Sequence, residues 1–145
     1  MIACLLWALT SVAQRGDVRA QPSAPVLSRS DESGVRARAL EWWQARERRD
    51  HQRMYALFEP AYRKQVSFAD FLTESVIRSR FDLAKPIVES VAIESSGRVR
   101  VRTRIQTHPP GLPAGQVTAE DMWVKVSGQW FKLHEKDQSP FTTPR

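Results

Sequence analysis

Between Glu120 and Leu133 apolar and polar residues alternate on both sides of a Ser127-Gly128-Gln129 tip. That is how a two-stranded antiparallel hairpin is written in sequence. Upstream, Arg98 to Gln106 alternates most cleanly, with Val99, Val101, Thr103 and Ile105 on one face and Arg98, Arg100, Arg102 and Arg104 on the other. Pro86 stands at the entry of another strand through Ile87, Val91 and Ile93, and Ser95-Ser96-Gly97 turns the chain. Pro109 to Gly115 forms a stiff loop. Before Arg80 the period is helical instead. Val35, Ala39, Trp42 and Trp43 recur at helical spacing to about Arg49, behind a Ser30 or Ser33 cap and the first-turn acids Asp31 and Glu32. Asp50 caps a short second helix carrying Met54, Tyr55, Leu57 and Phe58, which Pro60 ends. Ser67 and Asp70 make a variant capping box for a third, with Phe68, Phe71, Leu72 and Val76 as its apolar stripe. Helices first and an antiparallel meander after them predict an α+β fold, the helices packed on a curved sheet.

The register of the hairpin decides what its faces do. With Gly128-Gln129 at the tip, Val126 faces Phe131 and Val124 faces Leu133, and these four bury with Val99 and Val101. The other face then gathers Trp123, Lys125, Trp130, Lys132, His134 and Lys136 beside the four arginines. Two exposed tryptophans need a cover, so Trp123, Trp130, Arg100, Arg102 and His134 are the interface candidates. A second subunit, the Pro140-Phe141 tail or an anionic partner would supply it. A dimer would require acids such as Glu89 or Glu94 to interleave with the cations.

The chain has 145 residues, 41% hydrophobic and 26% charged, which fits one globular domain without disulfide or metal support. Ile2 to Leu9 is an uncharged apolar run too short to span a bilayer, and small Ser11 and Ala13 follow at the spacing a signal peptidase reads. Residues 1–13 are therefore read as a signal peptide, although no Lys or Arg precedes the run. Residues 14–29 read as a flexible leader, 30–137 as the domain and 138–145 as a tail. The product would be periplasmic or secreted, with no membrane span after processing. Removal of Cys4 leaves no thiol for disulfides, nucleophilic attack or metal binding. A net charge of +6 and a pI near 10.1 suit anionic lipid or cell-wall polymer, or are the plain surface of an arginine-rich chain. Nucleic acid is not expected as a partner outside the cytoplasm.

Local chemical signatures are absent. His51, His108 and His134 lie too far apart in sequence to share a metal, no G-x-S-x-G elbow occurs, and Gly111-x-x-x-Gly115 lacks the Lys-Ser or Lys-Thr of a phosphate loop. No metal or cofactor is predicted.

The stretches YALFEPAYRK from Tyr55, SFADF from Ser67 and WVKVSGQW from Trp123 resemble the nuclear transport factor two-like superfamily, also called ketosteroid-isomerase-like or cystatin-like. The resemblance spans about Ser30 to Lys136 and is nearest to exported bacterial members of unassigned function. It implies a cone-shaped α+β roll, a pocket between helices and sheet, and frequent pairing through the sheet. Isomerase-like members use a pocket carboxylate as base and a tyrosine or protonated acid as oxyanion donor. That makes Tyr55, Tyr62, Trp43 and Glu135 the pocket candidates, with Asp121 as the other nearby carboxylate. No residue matches the superfamily's base, and Val99, Val101 and Ile105 are apolar. The reading is therefore a binding domain for a small apolar ligand or a partner, with no catalytic residue assigned. The alternative is a small isomerase, cyclase or dehydratase using the same pocket.

Overall fold

Helices precede strands, as the change of period predicts. The computed structural model describes residues 26–78, 82–94 and 96–134. Glu135, the N-terminal segment and the C-terminal tail lie outside them. The elements are α1 (Arg29–Glu47), α2 (His51–Leu57), α3 (Pro60–Gln65), α4 (Phe68–Arg78), β1 (Asp82–Ile93), β2 (Val99–His108), β3 (Gly115–Val126) and β4 (Gln129–Lys132). The strands form one antiparallel sheet in the order β1-β2-β3-β4, with α1 packed on its core face. The protein is α+β, a helical layer on a meander.

Several helix starts follow their caps. Asp50 accepts from the Arg53 amide at 2.9 Å, and Ser67 accepts from the Asp70 amide at 3.2 Å while donating to its carboxylate at 2.6 Å. For α1 the cap is Ser28, which takes the Asp31 amide, rather than Ser30 or Ser33. Pro60 both closes α2 and opens α3, because its fixed φ and missing N–H suit the first helical position. The α4 stripe is only partly used. Phe71 is buried, but Phe68 and Val76 are exposed, since the helix packs on its Phe71 and Ser75 side.

Pro86 lies inside β1, not at its entry. The ladder with β2 shifts between Ala84 and Ile87 and again between Val88 and Ser90, and Lys85 has φ 52°. An edge strand tolerates proline at such a bulge, where no ladder donor is needed.

The hairpin corrects the expected register. Its tip is Ser127-Gly128, with φ 50° and 81°, and Val126 pairs with Gln129. Both central residues take positive φ, which is the type I′ geometry that matches strand twist, and glycine suits the second of them. The tip moves by one residue and the pairing by two, so Trp130 and Lys132 stay on the Trp123 face of the hairpin. What changes is which face is the core, because Trp123 pairs with Val99 and shares a face with it rather than with the arginines. Val124 pairs with Phe131, while Trp123 pairs with Val99 on one side and Lys132 on the other. Trp123 is thus 0% exposed beside Val99 and Val101, and Trp130 is buried with it. Val124 and Val126 occupy the opposite face, half-buried.

A close approach sets α1 against this hairpin. A Cβ on Gly34 would sit 3.3 Å from the Trp130 ring, so the missing side chain lets helix and indole meet. Arg38 Nε donates to the Trp130 carbonyl at 3.3 Å, and Asp31 pairs with Lys125. The hydrogen-bonded Lys125 ammonium, and after it the Ser28 hydroxyl, hold the Asp31 carboxyl below its ordinary value of 3.8. A depressed folded pKa stabilises the fold above the unfolded value and loses that contribution as pH falls through the folded one. Asp31→Asn should therefore be less stable than wild type near neutrality, and the gap should close as the solution is acidified well below pH 3.8. Urea denaturation across that range checks it; a gap that stays constant with pH refutes the clamp.

Candidate functional site

The polar residues inside the core collect where α1 crosses β3 and β4. Alternation along β3 puts Ala119, Asp121 and Trp123 on the core face, Asp121 opposite Val101. Lys132, across from Trp123, projects from β4 to the same side. Asp121 and Lys132 are only 8% and 9% exposed. Asp121 Oδ1 pairs with Lys132 Nζ, and its Oδ2 accepts from Trp43 Nε1 at 2.9 Å. The Lys132 ammonium also lies 4.5 Å from the centre of the Trp42 ring, an attraction between cation and π face. Trp42 and Trp43 meet edge to face at 4.8 Å. A buried carboxylate and ammonium persist only when they neutralise each other and find further hydrogen bonds, which this arrangement supplies.

Around the pair, other polar atoms lack partners. Among the described residues Trp42 Nε1, Trp123 Nε1 and Thr103 Oγ1 are buried without a hydrogen bond. Thr103 sits on the same face of β2, one pair along from the Val101–Asp121 pair. These three atoms are closed to solvent as well as unpaired.

Trp43 is the sequence-predicted pocket residue that reaches this cluster. Tyr55 does not: its hydroxyl donates to the Val66 carbonyl at 2.6 Å, with the Arg63 carbonyl 3.1 Å away, and so fastens α2 to the end of α3. Tyr62 is buried in an aromatic corner, stacked on His134 at 4.4 Å and 16° and tilted against Phe58 at 4.9 Å and 43°. Glu135 lies outside the described residues. Asp121 is legible in the sequence as a nearby carboxylate, but assigning the Trp123 face to the arginine side of the sheet places Lys132 in solvent, where the pairing of Trp123 with Val99 puts it in the core.

The interface candidates divide in the same way. Trp123 and Trp130 are core residues, and His134 packs on Tyr62 and Phe58, so none of them joins an exposed patch. Arg100 and Arg102 do face outward, with their acids in the same chain. Arg100 pairs with Glu94 at 2.8 Å and lies 3.5 Å from Glu120, while Glu89 reaches Arg104 at 3.1 Å and Arg102 at 3.7 Å. Glu89 and Glu94, from β1 and the residue after it, meet these arginines within one chain. Among the described residues no three His, Cys, Asp or Glu side chains gather as a metal site would require, and no helix is long and apolar enough to cross a membrane.

No family model and no curated protein matches the sequence. Solved structures do. A protein of unknown function with a cystatin-like fold from Nostoc punctiforme superposes with a TM-score of 0.53 at 11% identity, over 74% of this chain and 90% of that one. The fold is the cystatin-like roll. Aln2 from a Streptomyces species is similar to the same extent, with a TM-score of 0.52 at 11% identity over 74% of this chain and 89% of its own. At such identities the cystatin-like likeness carries architecture and no activity.

Proposed function

We propose that this chain is an exported, non-catalytic binding domain that takes a small, largely apolar ligand between α1 and the core face of the sheet. One observation carries the reading: Asp121, the core-face carboxylate of β3, has both oxygens engaged, one by Lys132 and one by Trp43. A general base needs a lone pair aimed at the substrate's proton, and these are aimed at the protein's own donors. Val99, Val101, Ile105 and Trp123 give this side of the sheet an apolar surface, which α1 covers completely, so a guest enters only where helix and sheet part. Native mass spectrometry of protein purified from its own host tests the idea. A retained small molecule that incubation leaves chemically unchanged is the expected result. Conversion of that molecule would favour an isomerase, cyclase or dehydratase, and a bare chain would remove the pocket reading.

Export rests on the N-terminal segment. Cleavage after Ala13 should leave Gln14 as the first residue of the exported protein. Intact-mass analysis decides this, and soluble protein that retains Met1 refutes export by that route.

A further inference from the structure

Outside the Asp121–Lys132 seam, α1 reaches both edges of the sheet. Arg36 donates from Nη1 to the Val88 carbonyl of β1 at 3.2 Å, and Arg38 donates from Nε to the Trp130 carbonyl of β4. Two positions apart on a helix, they lie about 200° around its axis and so on opposite flanks. Each is braced by an acid of α1. Glu32 Oε1 takes Arg36 Nε at 3.0 Å and Nη2 at 2.9 Å, and Glu41 Oε2 takes Arg38 Nη1 at 2.9 Å. Both pairs are partly exposed, where an ion pair adds little to stability and water serves a carbonyl nearly as well. What they change is the edge itself, because each guanidinium stands where an added strand would pair.

The two edges are otherwise guarded unequally. β4 has four residues, and its Lys132 carbonyl also accepts from the Glu59 amide at 3.1 Å. β1 has twelve residues, and no described strand lies beyond it. Pro86, the bulge around it and the positive φ of Lys85 spoil its first half. Over residues 90–93 the ladder with β2 is regular. Counted from the bond of the Glu94 amide to the Arg98 carbonyl, alternation turns the backbone groups of Val91 and Ile93 to the free edge. Arg36, on Val88, closes the approach to this stretch.

We propose that Arg36 guards the β1 edge, and that the partner it keeps out is a second copy of this chain. Pairing would join residues 88–94 to the same stretch of the other copy, antiparallel, an edge contact distinct from pairing through the sheet face. With Val91 on the two-fold, Ser90 meets Ala92, Glu89 meets Ile93 and Val88 meets Glu94, so no like charges oppose one another. Val88 lies at both ends of that junction, and the guard therefore counts twice.

Arg36→Ala and Arg38→Ala remove the same charge from the same helix and are compared with wild type, the full chain in each case. Sedimentation velocity from micromolar to near-millimolar protein should show a further association step in Arg36→Ala, a weak one for so short a junction. Arg38→Ala should lack it, because Glu59 still holds the short β4 edge. In Arg36→Ala the Val91 and Ile93 amides should exchange about tenfold more slowly at the higher concentration. Melting temperatures of both variants should stay within about 4 °C of wild type, as surface substitutions do. An Arg36→Ala chain that sediments like wild type would overturn the guard. Equal association of both variants would trace it to lost charge, and association without protection at Val91 and Ile93 would place it elsewhere; either overturns the proposal. So would an Arg36→Ala chain that no longer folds, since the arginine would then be a structural prop.

Discussion

Lys132→Met is expected to destabilise the domain by about 3–5 kcal/mol, because it leaves the Asp121 carboxylate buried without its cation. Asp121→Leu should cost a similar amount, since it strands the ammonium and also removes the acceptor of the Trp43 indole. The double variant should recover most of the loss. Two apolar side chains in that space no longer need solvation, and buried ion pairs replaced as a unit are often neutral or better. What remains is about 1–3 kcal/mol for the unpaired Trp43 N–H. Urea denaturation of wild type, both singles and the double gives the coupling energy directly. If the two single losses simply add in the double variant, the pair is solvated and the seam is not a closed core feature.

The second large effect separates two adjacent residues. Trp123→Ala should cost about 3–5 kcal/mol, because a fully buried indole between Val99 and Lys132 leaves a cavity the sheet cannot close. Val124→Asp should cost no more than about 1 kcal/mol. Its side chain is half-buried on the opposite face, and the register brings it next to the outward row of arginines. Thermal melts of the two variants settle which face of the hairpin is the core. A severe Val124→Asp and a mild Trp123→Ala would put the Val124 face, and not the Trp123 face, beside Val99 and Val101.

That pair of residues also shows where the sequence is legible. The strand from Val99 to His108 is readable because its faces differ sharply: aliphatic and threonine side chains inward, arginines outward. The helix starts at Asp50 and Ser67 are readable because capping is local chemistry. The hairpin is not. Met122-Trp123-Val124 and Trp130-Phe131 place large apolar groups on both faces, so alternation alone carries no parity there. The tip is set by positive φ at Ser127 and Gly128, and the core face by the pairing of β3 with β2, which puts Trp123 opposite Val99. The candidate site inherits that ambiguity. A lysine on the Trp123 face reads as solvent-facing until Trp123 is set opposite Val99, which brings that face into the core with Asp121. The third short helix is hidden for another reason: Pro60 reads as a stop, although the same fixed φ also starts a helix.

The buried ion pair is drawn from the two arms of a single hairpin, and this bears on the order of assembly. Asp121 and Lys132 can meet once the two-residue turn closes, an event of microseconds that requires no distant contact. The helix that covers them is contributed by a segment far earlier in the chain, and its Trp43 must find Asp121 across 78 positions. The charges can therefore neutralise each other while still hydrated, and the helix then settles on a pair that is already matched. Had the partners come from separate elements, one bare charge would have had to wait in a drying core, a step that readily diverts a chain into a trap.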